Sequence, residues 1–362
     1  MDMSTLAGLI RERGPFASLY LDASHDTEDA AKALELRWRG LREDLQRQGA
    51  DADTLAAIDE RVTRPAVGKA GRAVIAAHGR VLLDLVLPRP PAADSARWSN
   101  LPHVLPLANS TTTNVPHVVV LVDRAGADLH GYSGQRHVEQ EVQGARHPLN
   151  KVGGGGYSHR RLQNNVEETA RRNAALVAEA ADALVGELNA RLLVLGGEVQ
   201  ARTGVKDQLS TRCRDVLIEV DSGGLAAGSD DEAFDSAVRS LVAQYQADLE
   251  NDVVEEFTTE RDRPRGRAVQ GLEPVVAALR EANVAALLVA DPALGDRTVW
   301  TGDEPAQLAL AESDLRAMGV EHAGEHRADE ALPTAAAAIG AQVLVVDDTQ
   351  LAEGVGALLR HT

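Results

Sequence analysis

Residues 117–134 read HVVVLVDRAGADLHGYSG, and their pattern decides the architecture of the chain. His117 to Val122 is an unbroken apolar run rich in valine, short enough for a strand, and it ends at the turn signal Arg124-Ala125-Gly126 before a second strand. A continuous rather than alternating run suits a strand covered on both faces. Outward from it, Asn165 to Asn189 predicts a long helix with Val166, Ala170, Ala174, Leu176, Val177 and Ala181 available to pack. The segments ARLLVLGG (190–197) and RDVLIEV (214–220) predict two further strands. Strand and helix alternate, so the middle of the chain is read as an α/β layer. A final helix, 231–262, carries an apolar stripe of Phe234, Val238, Leu241, Val242 and Tyr245.

The flanks read differently. FASLYLDA (16–23) predicts a strand, followed by a charged helix whose Leu34, Trp38, Leu41 and Leu45 fall on one face. RAVIAAHGRVLLDLVLP (72–88) predicts a β-hairpin around His78-Gly79. Five prolines between Pro88 and Pro106 and a Ser/Thr/Asn cluster then place a boundary near Ser110. Beyond the basic linker RDRPRGRAVQG (261–271), GLEPVVAALREANVAALLVAD (271–291) and LPTAAAAIGAQVLVVDD (332–348) each read as helix then strand, a small α/β sandwich. The expectation is three domains: an α+β domain over 1–110, an α/β domain over 111–262 with a glycine-rich loop at 151–161, and an α/β domain over 263–362.

Composition bounds the function. The chain has 362 residues, 44% hydrophobic and 25% charged, so it has ample material for packed cores. No apolar run approaches the roughly 20 residues of a membrane span, and the first residues lack a signal-peptide pattern, so a cytoplasmic protein without membrane contact is expected. The net charge of −18 argues against non-specific coating of nucleic acid, DNA included, while leaving room for local basic contacts with RNA. The one cysteine, Cys213, sits in a strand-like context and reads as a buried thiol. His78, His103, His117, His130, His137, His147 and His159 show no metal-ligand spacing. His322 and His326, four apart, could share a helix face, but a single pair with an intervening glycine does not make a zinc site. Asp123 and Asp128 bracket a turn, which explains them locally. No metal or cofactor is read from the sequence.

The most informative stretch is KVGGGGYSHRRLQNNVEETARRNA, Lys151 to Ala174. Four glycines before a helix suggest a phosphate cradle, but the Gly-Lys-Ser/Thr end is absent and the preceding QEVQGARHPLNK is polar rather than a buried strand. From Arg146 to Arg172, six cations (Arg146, Lys151, Arg160, Arg161, Arg171 and Arg172) face two acids (Glu167 and Glu168), a local charge of +4 on an acidic chain. A basic loop on an acidic body points to RNA, whose phosphates supply affinity.

Loop, helix and third segment together resemble the archaeal-eukaryotic peptide release factor superfamily, which includes Pelota and bacterial release-factor-like proteins. In the release factors a Gly-Gly-Gln tip followed by Ser, Arg and a long helix enters the peptidyl transferase centre. Here Gly155 and Gly156 match the glycines, Ser158 the serine and Arg161 the basic residue, while Tyr157 stands in the place of the catalytic glutamine. The resemblance covers Val115 onward. It implies a third domain resembling kink-turn RNA-binding ribosomal proteins. The first domain lacks an Asn-Ile-Lys-Ser codon-reading motif. This pattern is similar to the Balon ribosome hibernation factors. It implies a non-enzymatic, stress-linked factor in the vacant A site of the 70S ribosome, between the decoding and peptidyl transferase centres, touching 16S and 23S rRNA and associated with elongation factor Tu. The rRNA-binding residues it implies are Lys151, Gly153, Gly154, Gly155, Gly156, Tyr157, Ser158, His159, Arg160, Arg161, Arg171 and Arg172. Two alternatives stay open: a ribosome-rescue factor or peptidyl-tRNA hydrolase using Gln163 or a water held by Ser158 and His159, and a stress-linked protein adaptor.

Overall fold

The computed structural model describes residues 8–25, 29–62, 68–108, 115–134, 136–144, 157–221, 231–290, 294–295, 297–346 and 351–362, with backbone alone at 157–166 and 231. It divides into two compact units, one formed by Met1–Thr111 with Leu249–Thr362 and the other by Thr112–Asp248. No described helix is long and apolar enough to cross a membrane.

The first part of the chain forms β1 (Phe16–Asp22), α1 (Ala30–Arg47), α2 (Ala52–Val62), β2 (Gly71–Ala77), β3 (Arg80–Leu87), β4 (Ser95–Ser99) and the short α3 (Leu105–Ala108). The strands pair antiparallel in the order β3-β2-β1-β4. The predicted stripe of α1 is buried: Leu34, Trp38, Leu41 and Leu45 pack with Leu19 and Leu21 of β1 and with Leu55, Ile58 and Val62 of α2. His78 and Gly79 have φ of 51° and 69°, the two left-handed positions that let a two-residue turn follow the twist of a hairpin.

The middle unit comprises β5 (His117–Val122), β6 (Gly126–Ser133), β7 (Arg136–Gln143), α4 (Tyr157–Leu188), β8 (Leu192–Gly197), α5 (Val199–Gln208), α6 (Thr211–Asp215), β9 (Leu217–Glu219) and the first part of α7 (Asp231–Arg261). Its sheet runs β7-β6-β5-β8-β9, with β5, β8 and β9 parallel and the β5-β6-β7 meander antiparallel. Val118, Val120, Leu193 and Leu195 pack against Val177, Ala181, Leu184 and Val185 of α4. Three local expectations change here. The helix starts at Tyr157 rather than Asn165. Its buried rows follow Ala174, Val177, Ala178, Ala181 and Val185, which turns Ala170 and Leu176 out to solvent. The polar stretch before the glycines begins at Gln140–Gln143, inside β7, an edge strand whose charged, exposed side chains discourage pairing with another sheet, while the stretch from residue 145 on lies outside the described residues.

After α7 come β10 (Ala268–Gln270), α8 (Leu272–Arg280), β11 (Val284–Val289), β12 (Thr298–Thr301), β13 (Leu308–Ala309), α9 (Glu312–Ala317), β14 (Gly324–Arg327), α10 (Ala328–Ala338), β15 (Gln342–Val345) and β16 (Val355–Leu359). The predicted helix-strand pairs are α8-β11 and α10-β15, and β11 and β15 lie parallel in the sheet β10-β16-β11-β15. The first and third segments, expected as separate domains, belong to one compact unit. Leu105 of α3 enters the core built by Val275, Leu279, Leu287 and Leu332, and Ala337 of α10 enters the one built by Phe16, Tyr20 and Ile75. Apolar side chains thus join segments 170 or more positions apart, which sequence periodicity does not reveal.

Candidate functional site

The elements that carry the basic stretch are fixed at one residue. Asn173 is buried, and its Nδ2 donates to the Arg124 carbonyl at 3.0 Å. Gly144, where the chain leaves β7, donates its N–H to the Ala125 carbonyl at 2.6 Å and lies so close to Asn173 that an added Cβ would fall 2.2 Å from its Cγ. A side chain at 144 is therefore excluded, and Asn173 ties the β5-β6 turn and the end of β7 to α4. Sixteen residues separate Asn173 from Tyr157, so at ~1.5 Å per residue the helix start stands ~24 Å away along the axis. The twelve residues between Gly144 and Tyr157 can span that distance, since their extended reach is about 40 Å. From Glu167 to Arg172 the described side chains are exposed, apart from half-buried Thr169, and burial begins at Asn173.

Of the predicted RNA-binding residues, Lys151, Gly153, Gly154, Gly155 and Gly156 lie outside the described residues. Tyr157, Ser158, His159, Arg160 and Arg161 occupy the first turns of α4 instead of a loop, with their side chains outside the described set. Arg171 and Arg172 are exposed. Arg172 Nε meets Glu168 Oε1 at 3.2 Å, an i,i+4 pair that water and salt weaken, while Arg171 makes no ion pair among the described residues. Arg171 also lines a cleft of about 430 Å³ with Asp123, Arg124, Asn173 and Gly204, between α4 and α5.

A second group was not read from the sequence. On the face of the β5-β6-β7 meander away from α4, four rings stack in series. His117 lies on Tyr132 at 4.7 Å, Tyr132 on His137 at 4.5 Å, and His137 on His130 at 5.7 Å between centroids. Cross-strand register places them there, His117 opposite Tyr132, Tyr132 opposite His137 and His130 opposite Glu139. The linear spacing of the histidines conceals this, because the hairpin brings positions seven apart together. The available signal was alternation on both sides of a turn: His130 and Tyr132 before it, His137 and Glu139 after it.

The remaining candidates resolve into structural roles. Asp123 Oδ1 accepts from the N–H groups of Ala125 and Gly126 at 2.6 and 2.8 Å, so it builds the β5-β6 turn. Cys213 is fully buried, in α6 rather than a strand, because Ser210 Oγ caps that helix through the Cys213 N–H. Burial and the neighbouring Asp182 push its thiol up to about 12, far from a reactive thiolate. His326 is in strand β14, so His322 and His326 share no helix face.

In the other unit, Asp329 and Glu330 are almost wholly buried at the start of α10. Arg97 of β4 reaches both, at 2.8 Å from Asp329 Oδ2 and 3.5 Å from Glu330 Oε1, and Arg327 bonds both oxygens of Asp329 at 3.0 Å. Burial raises the Asp329 carboxyl, but the hydrogen bonds from Arg327 and Arg97 outweigh it and hold the group below the usual range. For Glu330 burial prevails over Ser99 and Arg97, and its pKa is raised. His103, pushed down to about 3 by burial and Arg97, stays neutral. With its partners spread over two segments, this cluster fits a structural role.

The family model "Bacterial archaeo-eukaryotic release factor family 2" matches residues 116–263, from β5 to just past α7. The uncharacterized protein Rv2629 of Mycobacterium tuberculosis is 36% identical over 369 aligned positions, covering 100% of this chain and 97% of its own. Among solved structures, the archaeal translation termination factor aRF1 aligns at 18% identity with a TM-score of 0.29, covering 99% of this chain and 98% of that one. Archaeoglobus fulgidus Pelota aligns at 13% identity with a TM-score of 0.34, covering 100% and 92%.

Proposed function

We propose, from the premise that this chain belongs to the bacterial archaeo-eukaryotic release factor family, that it occupies the vacant A site of idle 70S ribosomes as a hibernation factor and does not hydrolyse peptidyl-tRNA. The observation that carries this reading is Tyr157. It follows Gly155-Gly156 directly, in the place of the glutamine, and it is the first residue of α4. A glutamine offers a carbonyl acceptor and an amide donor that can orient a water beside an ester, whereas a phenol offers one hydroxyl on a bulky ring. The tyrosine keeps a surface for stacking and one hydrogen bond, which suits occupancy of an RNA site rather than cleavage within it.

The remaining elements support the same role. The helical start of α4 makes an arm of fixed length, and Arg160, Arg161, Arg171 and Arg172 give it phosphate-binding charge on an otherwise acidic chain. In this reading, residues 151–161 with Arg171 and Arg172 contact 23S rRNA near the peptidyl transferase centre. Segment 1–110 contacts 16S rRNA at the decoding side without reading a codon, and segment 263–362 faces a protein partner, elongation factor Tu. The setting is the cytoplasm of a stressed cell.

Two assays test the proposal. The protein should co-sediment with vacant 70S ribosomes from stationary cells at moderate salt, and it should release no labelled peptide from stalled complexes. Absence of binding, with or without elongation factor Tu, would refute the ribosomal role. Peptide release would instead assign the chain to rescue, with Ser158, His159 and Gln163 as the groups to test.

A further inference from the structure

Three potential metal ligands meet on the outer face of the β6-β7 hairpin. Glu139 Oε1 lies 3.6 Å from His137 Nδ1 and 3.9 Å from His130 Nδ1, and one donor atom from each of the three residues lies within 4.8 Å of the others. These separations exceed a hydrogen bond, so the carboxylate closes neither gap. His130 Nδ1 is buried and makes no hydrogen bond among the described residues, a position that costs free energy unless something fills it. The site is also preorganised. The His137 ring stacks on Tyr132 with 10° between planes, and Tyr132 stacks on His117, whose own Nδ1 is engaged by the Val115 carbonyl at 2.8 Å.

We propose that His130, His137 and Glu139 bind one divalent cation of borderline softness, with Zn²⁺ the best fit. Two imidazoles and a carboxylate form the donor set of open zinc sites. Metal–ligand bonds of about 2.0–2.1 Å in a tetrahedron separate the donor atoms by about 3.3–3.4 Å. The observed 3.6 and 3.9 Å from Glu139 exceed this by about half an ångström or less, and the three donor atoms all lie within 4.8 Å of one another, so rotation of the side chains can draw them onto one ion. The fourth position would hold water. A cation there would bridge β6 to the edge strand β7 from outside the core, and it owes nothing to ribosome binding.

The test is isothermal titration of full-length, tag-free, chelator-treated protein with Zn²⁺, alongside Co²⁺ as a spectroscopic substitute. The wild type should bind one equivalent of zinc and give Co²⁺ a visible spectrum of four-coordinate intensity. His137→Ala and Glu139→Gln alter exposed side chains, so they should fold normally by circular dichroism and bind no zinc at that site. His322→Ala, at the separate exposed His322–Asp303 pair, should still bind one equivalent. No zinc uptake by the wild type, or unchanged stoichiometry in both His137→Ala and Glu139→Gln, overturns the proposal.

Discussion

Replacing Arg97 with alanine removes the cation that faces two buried acids. Arg97 is itself only 29% exposed at its side chain, against 0% for Asp329 and 2% for Glu330, so solvent cannot take its place without opening the packing. Breaking a buried pair by deleting one partner typically costs ~3–5 kcal/mol, because the other charge is left uncompensated. Asp329 keeps its bidentate contact with Arg327, which moderates the loss, so about 3 kcal/mol is expected. At ~2–4 °C per kcal/mol for a unit of this size, its thermal transition should fall by ~6–12 °C at pH 7.

The pH dependence has a defined sign. Asp329 titrates lower in the folded state than in the unfolded chain, so its contribution is present above the unfolded pKa and is lost as pH falls through the folded one. Glu330 titrates higher when folded, so its contribution is full below the unfolded pKa and declines as pH rises through the folded one. Without Arg97, the lowered Asp329 carboxyl shifts upward, the raised Glu330 carboxyl rises further, and Glu330 takes up a proton more readily. The deficit of Arg97→Ala should therefore shrink between pH 7 and pH 5. Differential scanning calorimetry of both proteins at the two pH values measures this. A shift below 2 °C at pH 7, or a deficit that grows on acidification, would refute the reasoning.

Other positions yield shorter predictions. Gly197 has φ of 111°, and an added Cβ would lie 1.9 Å from the Val122 carbonyl, so Gly197→Ala should cost ~3 kcal/mol or more, read as a lower denaturant midpoint for the middle unit. Cys213 should resist iodoacetamide at pH 8 in the native protein and react quickly in denaturant; rapid native labelling would contradict its burial and raised pKa.

The sequence made legible what depends on neighbours along the chain. The α1 stripe of Leu34, Trp38, Leu41 and Leu45, the His78-Gly79 hairpin and the buried β5 and β8 all follow from local periodicity or turn chemistry. What it hid depends on distant partners. Asp329 and Glu330 look like an ordinary acidic first turn of a helix until Arg97, more than 230 residues earlier, is seen beside them. His130 and His137 meet because of hairpin register. Arg136 to Gln143 lacks the apolar alternation that announces a strand, since this edge strand turns only Val138 and Val142 toward the core and leaves its other side chains exposed. The helical start at Tyr157 was obscured by the four glycines that stand directly before it. Tyr157 itself was identified through family resemblance, not local physics.

The central claim, an RNA-contacting arm at the start of α4, is tested most directly by the salt dependence of ribosome binding. Co-sedimentation of the wild type and of Arg160→Ala/Arg161→Ala with vacant 70S ribosomes, over a series of potassium concentrations, reports both affinity and the number of phosphate contacts. The account predicts that the double variant binds more weakly and that its log–log salt slope is shallower by about two. Equal affinity and slope would show that the arm does not touch rRNA.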